Sequence, residues 1–308
     1  MKKVIRIDFC DVPAHLDKDD NYFYNLLSRR FTVRLCDKPD FLFYSDQGSH
    51  HKLYVCPKIY FTIECHQPDF TECDFAFTGN YLDDPRHTRL PVYVHCCAGG
   101  APSILKEPAR LSDLLAQKTK FCCLLTSNVS TPTTRTRTEF FHRLCRYKKV
   151  DSGGGALNNL GQIVPWGGKR DFLKDYKFNL AFENESVPGY TSEKIFEAMQ
   201  SGCVPIYWGN PLIHREFNPA SFLNYFDFTS EEALIEKIIE LDQDEAKYFE
   251  YLRQPYFHDN QPSEYFDDEA LLDRFERIFF TSFKPVSQRR VSVFGRWILL
   301  KKHKPGTR

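Results

Sequence analysis

Long apolar runs, internal repeats and low-complexity segments are all absent from this sequence of 308 residues. No run approaches the roughly 20 apolar residues that a helix needs to cross a bilayer, which argues against a transmembrane protein. The absence of self-similarity at a fixed period excludes a solenoid. Met1 is followed by Lys2, Lys3 and a short strand-like run, which does not resemble a signal peptide. We therefore expect a protein that is made and kept on the cytoplasmic side.

The eleven cysteines show no CxxC spacing, the pattern typical of zinc sites and redox dithiols. Their odd number does not favour a framework of disulfides, so we expect mostly free thiols in a reducing compartment. Acidic pairs such as Asp19–Asp20 and Asp267–Asp268 stand in polar surroundings that are typical of solvated side chains. The sequence therefore predicts no metal site.

The formal net charge is zero, but the charges are unevenly distributed. Residues 284–308 contain eight Lys or Arg and no acid, whereas residues 1–283 carry 33 bases against 41 acids. An acidic body argues against a nucleic-acid surface. On a helix, Val293, Trp297 and Leu300 of the tail would share one face, and such a basic amphipathic element suits an anionic membrane surface. The alternative is a terminal helix that packs on the body. We expect peripheral contact with the inner face of the cytoplasmic membrane.

Strand-like runs alternate with helical patterns along the chain, which predicts parallel α/β sheets. The first third holds one helical segment, NYFYNLLSRRF, and the strand-like runs KKVIRIDFC, FTVRLC, DFLFYS, KIYFTIE, DFAFTG and PVYVH. After the Gly/Pro stretch AGGAPSILKEP, a second series follows with KFCCLLTS, TEFFHRLCRY, FNLAFE, TSEKIFEAMQSG, CVPIYWG and EEALIEKIIELDQDEAKYFEYL. We predict two α/β domains of similar size, residues 1–115 and 116–283, that face a central cleft, followed by the tail 284–308.

The segment FENESVPGYTSEKIFEAM places charged residues where a buried strand passes into a helix. Gly189 can adopt a positive φ, and Thr191 or Ser192 can cap the helix. Lys194 falls in the first turn of that helix, where it opposes the helix dipole. Capping alone would explain Glu193, but it does not explain Lys194. A phosphate bound at this strand end and helix N-terminus would explain both the position of the charged residues and the presence of Lys194.

The segments FNLAFEN and GYTSEKIFEAMQSGCVPIYWGNP resemble the signature of glycosyltransferase family 10, the α-1,3-fucosyltransferases, in its bacterial branch. SGGG, FTIECHQPDF and CDFAFTG extend the similarity over residues 1 to about 265. The resemblance implies a GT-B fold with two Rossmann-like α/β/α domains, acceptor binding in the first and GDP-fucose binding in the second. It implies inverting transfer of L-fucose to a GlcNAc-containing oligosaccharide or glycolipid of N-acetyllactosamine type. The family has no DxD metal clamp, so no cofactor is expected, although divalent cations could stimulate.

The same resemblance implies roles for donor-site residues. Arg137 and Lys194 would bind the pyrophosphate, Glu193 would face the fucose, and Asn184 and Tyr190 would contact the donor. Each has an alternative: Arg137 could lie at an ordinary solvated helix start, Asn184 could form a turn, and Tyr190 could be a core aromatic.

Glu64 matches the family's general base, with Ile63 and Cys65 standing where Gly and Asn are usual. His66 could assist the base. Gly153, Gly154 and Gly155 would let backbone approach a ligand or a neighbouring turn, unless they form a flexible loop. Two other functions stay open: a GT-B transferase for another nucleotide sugar, and a catalytically silent protein that binds a sugar nucleotide or glycan.

Overall fold

A computed structural model describes residues 2–97, 99–129, 132–288, 291–293 and 296–298. The chain divides into two compact units. Unit 1 comprises Met1–His95 and Asp267–Arg308, and unit 2 comprises Cys96–Phe266. This division differs from the predicted one: unit 2 begins at Cys96 instead of after residue 115, and the last long helix is grouped with unit 1.

Unit 1 contains a six-stranded sheet in which every neighbouring pair is parallel, in the order β2-β1-β3-β4-β5-β6. The strands are β1 (Val4–Cys10), β2 (Thr32–Leu35), β3 (Phe41–Tyr44), β4 (Lys58–Phe61), β5 (Phe75–Thr78) and β6 (His87–Arg89). The helices are α1 (Tyr22–Arg30) and α2 (Val92–Cys96). PVYVH was predicted as a strand, but it forms α2, because Pro91 is pre-organised for a helix start and Val92–Val94 are buried all round.

The last long helix, α9 (Asp268–Phe280), covers the sheet of unit 1. The Phe275 ring stacks on Phe77 with centroids 4.6 Å apart, and Phe279 lies 4.6 Å from Phe41. Arg30 of α1 adds ion pairs to acidic residues of α9. This apolar face explains why residues 267–283 belong to unit 1 and not to the second domain.

Unit 2 contains a five-stranded parallel sheet in the order β11-β10-β9-β7-β8. The strands are β7 (Lys120–Leu124), β8 (Val150–Ser152), β9 (Tyr176–Phe182), β10 (Val204–Trp208) and β11 (Leu223–Asn224). The helices are α3 (Leu111–Gln117), α4 (Arg135–Leu144), α5 (Lys169–Leu173), α6 (Glu193–Gln200), α7 (Glu231–Gln243) and α8 (Glu245–Leu252). Two parallel α/β units confirm the prediction of two Rossmann-like domains.

The tail does not form the predicted helix where its backbone is described. Val291–Val293 (β12) and Arg296–Ile298 (β13) pair as a short antiparallel hairpin. Val291, Val293, Trp297 and Ile298 are β-branched or aromatic residues, which suit strands better than a helix. Val293 and Trp297 therefore do not share a helical face, and Leu300 lies outside the described residues. Membrane contact by the tail stays a prediction from charge alone. Among the described residues, no helix is long and apolar enough to span a membrane.

Candidate functional site

The carboxyl ends of β7 and β9 form the topological switch point of the unit 2 sheet. The chain runs from β7 outward to β8 and then returns to β9 on the other side of β7. Ligands of open α/β sheets bind in the crevice that such a reversal leaves between two strand ends. The residues that follow these strands, Thr126 after β7 and Asn184 after β9, are therefore at the expected ligand position.

Arg137 of α4 joins the two strand ends. Its side chain is almost fully buried, at 1% exposure. One terminal nitrogen donates to Thr126 Oγ1 at 2.6 Å and to the Asn128 carbonyl at 2.9 Å. The other donates to the Phe182 carbonyl at 2.7 Å and to Asn184 Oδ1 at 3.0 Å. The guanidinium thus fixes the two loops that border the crevice.

This arrangement changes how Arg137 can act. Both terminal nitrogens already donate to protein acceptors, so they are not free to bind a phosphate in bidentate fashion. Its Nε is buried and has no hydrogen-bond partner within the part of the chain that the structure describes. Burial lowers the pKa of the guanidinium, and the nearby Glu183 carboxylate opposes this effect. Arg137 is held as a buried cation behind the crevice.

Glu183, the first residue after β9, organises the start of α6. Its fully buried carboxylate accepts hydrogen bonds from the Ser192 N–H at 2.8 Å and the Ser192 hydroxyl at 2.6 Å. Lys194 Nζ donates to the same carboxylate at 3.2 Å and to Ser192 Oγ at 2.9 Å. Ser192 also caps α6, as one of the two predicted candidates. The lysine is therefore fixed at the helix N-terminus.

Charges around Lys194 keep both it and Glu193 ionised. Burial acts to lower the pKa of Lys194, but the carboxylates of Glu183 and Glu193 outweigh it, and the net pKa is raised. Burial acts to raise the pKa of Glu193, but the ammonium groups of Lys194 and Lys169 outweigh it, and the net pKa is lowered. A carboxylate and an ammonium thus stand side by side at the start of α6, 3.7 Å apart.

The turn before α6 is held by buried polar contacts. Gly189 has φ +89°, which confirms the predicted positive φ, and its N–H donates to Asn210 Oδ1 at 2.9 Å. The Asn210 amide donates to Thr191 Oγ1 at 3.0 Å and to Glu216 at 2.7 Å. Tyr190 is buried, at 2% exposure, so the ring lies within the protein at this turn.

None of the three glycines after β8 adopts a positive φ. Their role is instead close packing, which the missing Cβ atoms permit. A Cβ on Gly154 would lie 2.1 Å from the Thr126 carbonyl oxygen. A Cβ on Gly153 would lie 2.6 Å from the Val164 side chain, and one on Gly155 would lie 3.3 Å from Ser127 Oγ. The predicted close approach to a neighbouring turn is confirmed for Gly154, which rests on the loop after β7.

In unit 1, Glu64 lies at the carboxyl end of β4. The strand ends at Phe61, three residues earlier than the sequence suggested, and residues 63–65 form a bend. The half-buried Glu64 follows Thr62, whose Oγ1 accepts the Glu64 N–H at 3.0 Å. Ile63 has no positive φ, so the backbone at this position does not require the glycine that is usual in the family.

Asp46, which follows β3, binds the groups around Glu64. Its carboxylate accepts the Thr62 hydroxyl at 2.7 Å and lies 2.8 Å from His66 Nδ1. Burial acts to raise the pKa of Asp46, but hydrogen bonds from Thr62, His66 and Gln47 outweigh it and lower the pKa. An ionised carboxylate only accepts, so in the neutral imidazole His66 Nδ1 carries the proton and Nε2 the lone pair. His66 is 59% exposed.

The structure thus brings Arg137, Asn184, Glu193, Lys194 and Gly154 to one edge of the unit 2 sheet, and Glu64 and His66 to one edge of the unit 1 sheet. Sequence analysis missed Glu183 and Asp46. Glu183 directly follows the buried strand β9, and Asp46 lies two residues after the buried strand β3. An acid at the carboxyl end of a buried parallel strand was therefore the signal that could have identified both.

Two family models match the chain. The model "Glycosyltransferase family 10 (fucosyltransferase) C-term" matches residues 115–265, and "Alpha-(1,3)-fucosyltransferase FucT N-terminal domain" matches residues 7–96. The α-(1,3)-fucosyltransferase FucT of Helicobacter pylori is 31% identical over 267 aligned positions, and the match covers 76% of this chain and 55% of that protein. The human 4-galactosyl-N-acetylglucosaminide 3-α-L-fucosyltransferase is 33% identical over 150 residues, 48% of this chain and 40% of that protein. The chain spans about half the length of these relatives.

A crystal structure of an α1,3-fucosyltransferase with GDP-fucose is similar over both units. It aligns with a TM-score of 0.77 and 26% identity, and the alignment covers 92% of this chain and 93% of that one. A crystal structure of an α1,3-fucosyltransferase with GDP also aligns with a TM-score of 0.77. With 92% of the chain covered, the similarity extends over both units.

Proposed function

This chain belongs to glycosyltransferase family 10, the fucosyltransferases, and on that premise we propose that it transfers L-fucose from GDP-fucose to a GlcNAc-containing glycan with inversion at the anomeric carbon. The observation that carries the proposal is the fixed pair of Glu193 and Lys194 at the N-terminus of α6. It supplies one cation and one carboxylate beside the switch-point crevice. A cation stabilises a nucleoside diphosphate as it leaves, and a carboxylate stabilises the positive charge that develops on the sugar.

Lys194 is the residue proposed to bind the pyrophosphate. Negative charge increases on the phosphate oxygens as the sugar leaves, so a preorganised ammonium stabilises the transition state more than the ground state. The N-terminus of α6, where Lys194 lies, also carries the positive end of the helix dipole, which favours an anion such as a phosphate. Arg137 adds a second positive charge and holds Asn184, which we propose to contact the donor together with Tyr190.

Glu193 is proposed to face the fucose ring. The anomeric carbon gains positive charge as its bond to the leaving oxygen breaks. A carboxylate that stays ionised at neutral pH stabilises this charge, and the lowered pKa of Glu193 meets that requirement. Lys194 and Glu193 therefore stabilise opposite charges of one transition state.

Glu64 is proposed to take the proton from the acceptor hydroxyl. The acceptor O–H bond breaks, the oxygen attacks the anomeric carbon, and the bond to GDP breaks with its electrons going to the phosphate. His66 is the second candidate for this base. Asp46 engages its Nδ1, so the other ring nitrogen, Nε2, is left to accept a proton. Both groups follow the same strand end.

The acceptor is proposed to be of N-acetyllactosamine type, as in Lewis-type or surface-polysaccharide glycans. The proposal is supported by the name of the human relative, which acts on a 4-galactosyl-N-acetylglucosaminide. No metal is proposed to take part. Transfer should persist in a chelator, and activity that is lost in chelator and restored by a divalent cation would contradict this.

The test is GDP release from purified protein with a panel of nucleotide sugars, with and without N-acetyllactosamine. We expect acceptor-dependent release with GDP-fucose alone. Release with a different sugar nucleotide would establish the other transferase. Binding of GDP-fucose without release under either condition would establish a silent binding protein, as the altered Ile63 and Cys65 allow.

A further inference from the structure

Two large apolar side chains are exposed on the loop between β8 and α5. Ile163 is 66% exposed and Trp166 is 68% exposed. Large apolar side chains that share one exposed loop mark a binding surface more often than isolated ones do. The proposed transfer, as described so far, uses neither of them.

The loop is anchored at the strand end. The Val164 N–H donates to the Gly153 carbonyl at 2.8 Å. Because Gly153 lacks a Cβ, the Val164 side chain packs directly against it. Val164 thus ties the loop to the carboxyl end of β8, and its neighbours Ile163 and Trp166 lie toward solvent.

The Trp166 ring is oriented by a buried ion pair. Lys169 Nζ lies 3.5 Å from the ring centroid, one helical turn along the chain. The same ammonium donates to both carboxylate oxygens of Glu197, at 3.1 and 3.0 Å. The Lys169 and Glu197 side chains are only 15% and 19% exposed, so water screens the pair little. The ring is therefore held by its contact with a fixed cation.

This clamp shares its charges with the proposed fucose site. Glu197 lies one turn after Glu193 on the same face of α6. Burial raises the pKa of Glu197, and the Lys169 ammonium opposes this effect. The same ammonium helps to lower the pKa of Glu193. The surface that carries Trp166 is thus continuous with the residue proposed to face the fucose.

We propose that Trp166 is a stacking surface for a sugar ring of the acceptor, a hexose or N-acetylhexosamine next to the hydroxyl that receives fucose. A pyranose presents a face of C–H groups that packs on an aromatic ring, and a rigid indole loses little conformational entropy on binding. An acceptor in line with the fucose must lie near Glu193, and Lys169, which contacts this ring, is also one of the two ammonium groups that lower the pKa of Glu193. The inference rests on the proposed fucosyl transfer and assigns part of acceptor selection to unit 2.

The test compares Trp166→Ala and Trp166→Phe with the wild-type chain and with Phe226→Ala, an exposed aromatic of unit 2 outside this loop, as the matched control. For Trp166→Ala we expect KM for N-acetyllactosamine to rise about tenfold, the change given by ~1.4 kcal/mol, while KM for GDP-fucose and kcat change less than about twofold. Trp166→Phe should recover part of the loss, and Phe226→Ala should change KM less than about twofold.

Saturation-transfer NMR with N-acetyllactosamine gives a second readout that does not need turnover. Wild-type protein should saturate the sugar protons, and Trp166→Ala should lose most of that signal. Equal acceptor KM and equal saturation in both proteins would overturn the proposal. If the wild-type chain shows saturation but no transfer, the proposed fucosyl transfer fails and the sugar-binding role of Trp166 stands.

Discussion

The buried carboxylate of Glu183 accepts both the N–H and the hydroxyl of Ser192, at 2.8 and 2.6 Å, and so fixes the start of α6 to the end of β9. Gly209 makes room for it, because a Cβ there would lie 2.3 Å from Glu183 Cγ. The same carboxylate holds Lys194 at 3.2 Å. One acid therefore sets the position of the proposed phosphate cation.

Replacing Glu183 by Ala should destabilise the protein and weaken donor binding together. The change leaves Lys194 and Ser192 without their shared buried acceptor, so we expect a loss of about 3 kcal/mol in the free energy of unfolding. Denaturant unfolding and GDP-fucose titration calorimetry measure the two effects. Glu185→Ala is the control, because it leaves all three contacts intact. Unchanged GDP-fucose affinity in folded Glu183→Ala protein would show that Lys194 does not depend on Glu183.

Gly154→Ala should disrupt the crevice between β7 and β9. Its Cβ would meet backbone atoms of Thr126, which cannot rotate away as a side chain could. We expect a loss of at least about 2 kcal/mol in the free energy of unfolding. Gly167→Ala provides the control, since a Cβ there meets nothing within 4 Å, and it should change stability by less than about 0.5 kcal/mol. Equal stability of the two variants in thermal unfolding would refute the close contact.

Asp46→Asn should release the fixed tautomer of His66. The carboxylate accepts only, whereas an amide can also donate to Nδ1, so both imidazole tautomers become accessible. Nitrogen-15 NMR should show Nδ1–H in the wild-type protein and a mixture in the variant.

If His66 assists the base, kcat of Asp46→Asn should fall about tenfold while KM for GDP-fucose is unchanged. Asp113→Asn, at an exposed acid of α3, serves as a control for replacing a carboxylate by an amide elsewhere. A full tautomer change without any change in kcat would assign the base to Glu64 alone.

Asp11 should make stability depend on acidic pH. Its side chain is 1% exposed, and its carboxylate accepts the N–H groups of His50 and His51 at 2.9 and 2.8 Å. Burial acts to raise its pKa, but hydrogen bonds from His51 and His50 outweigh it and lower the pKa to about 2.

Because the folded pKa lies below the unfolded value of about 3.9, this stabilisation is present above pH ~4 and is lost as the pH falls toward 2. Asp11→Asn should cost roughly 2 kcal/mol at pH 6 and progressively less below pH 4. Asp113→Asn, at an exposed acid of α3, is the control. A constant difference between wild type and Asp11→Asn from pH 6 to pH 2 would contradict the assignment.

The pattern of apolar runs was sufficient for most of the sheet strands, because each central strand is buried on both faces and reads as a continuous apolar run. It failed at PVYVH, because three buried residues after a proline, Val92–Val94, fit a strand or a short helix equally well. Helix α9 was missed as part of unit 1, since nothing local shows which sheet an amphipathic helix will cover.

The site was predictable where residue type and local position coincide, as for Ser192 as the cap and Gly189 as the turn glycine. The contacts of Arg137 were not predictable, because they join positions 126, 128, 182 and 184, which only the sheet order brings together. The clamp of Trp166 by Lys169 and Glu197 likewise depends on how α5 packs on α6.

The most direct test of the account is linkage analysis of the product formed from GDP-fucose and N-acetyllactosamine by wild-type protein and by Lys194→Ala. We predict one product with fucose α-1,3-linked to GlcNAc, formed by the wild type and at least about 100-fold more slowly by the variant, the effect of removing a charge that stabilises the leaving group. Absence of fucosylated product from the wild type, or equal rates for the two proteins, would contradict the central claim.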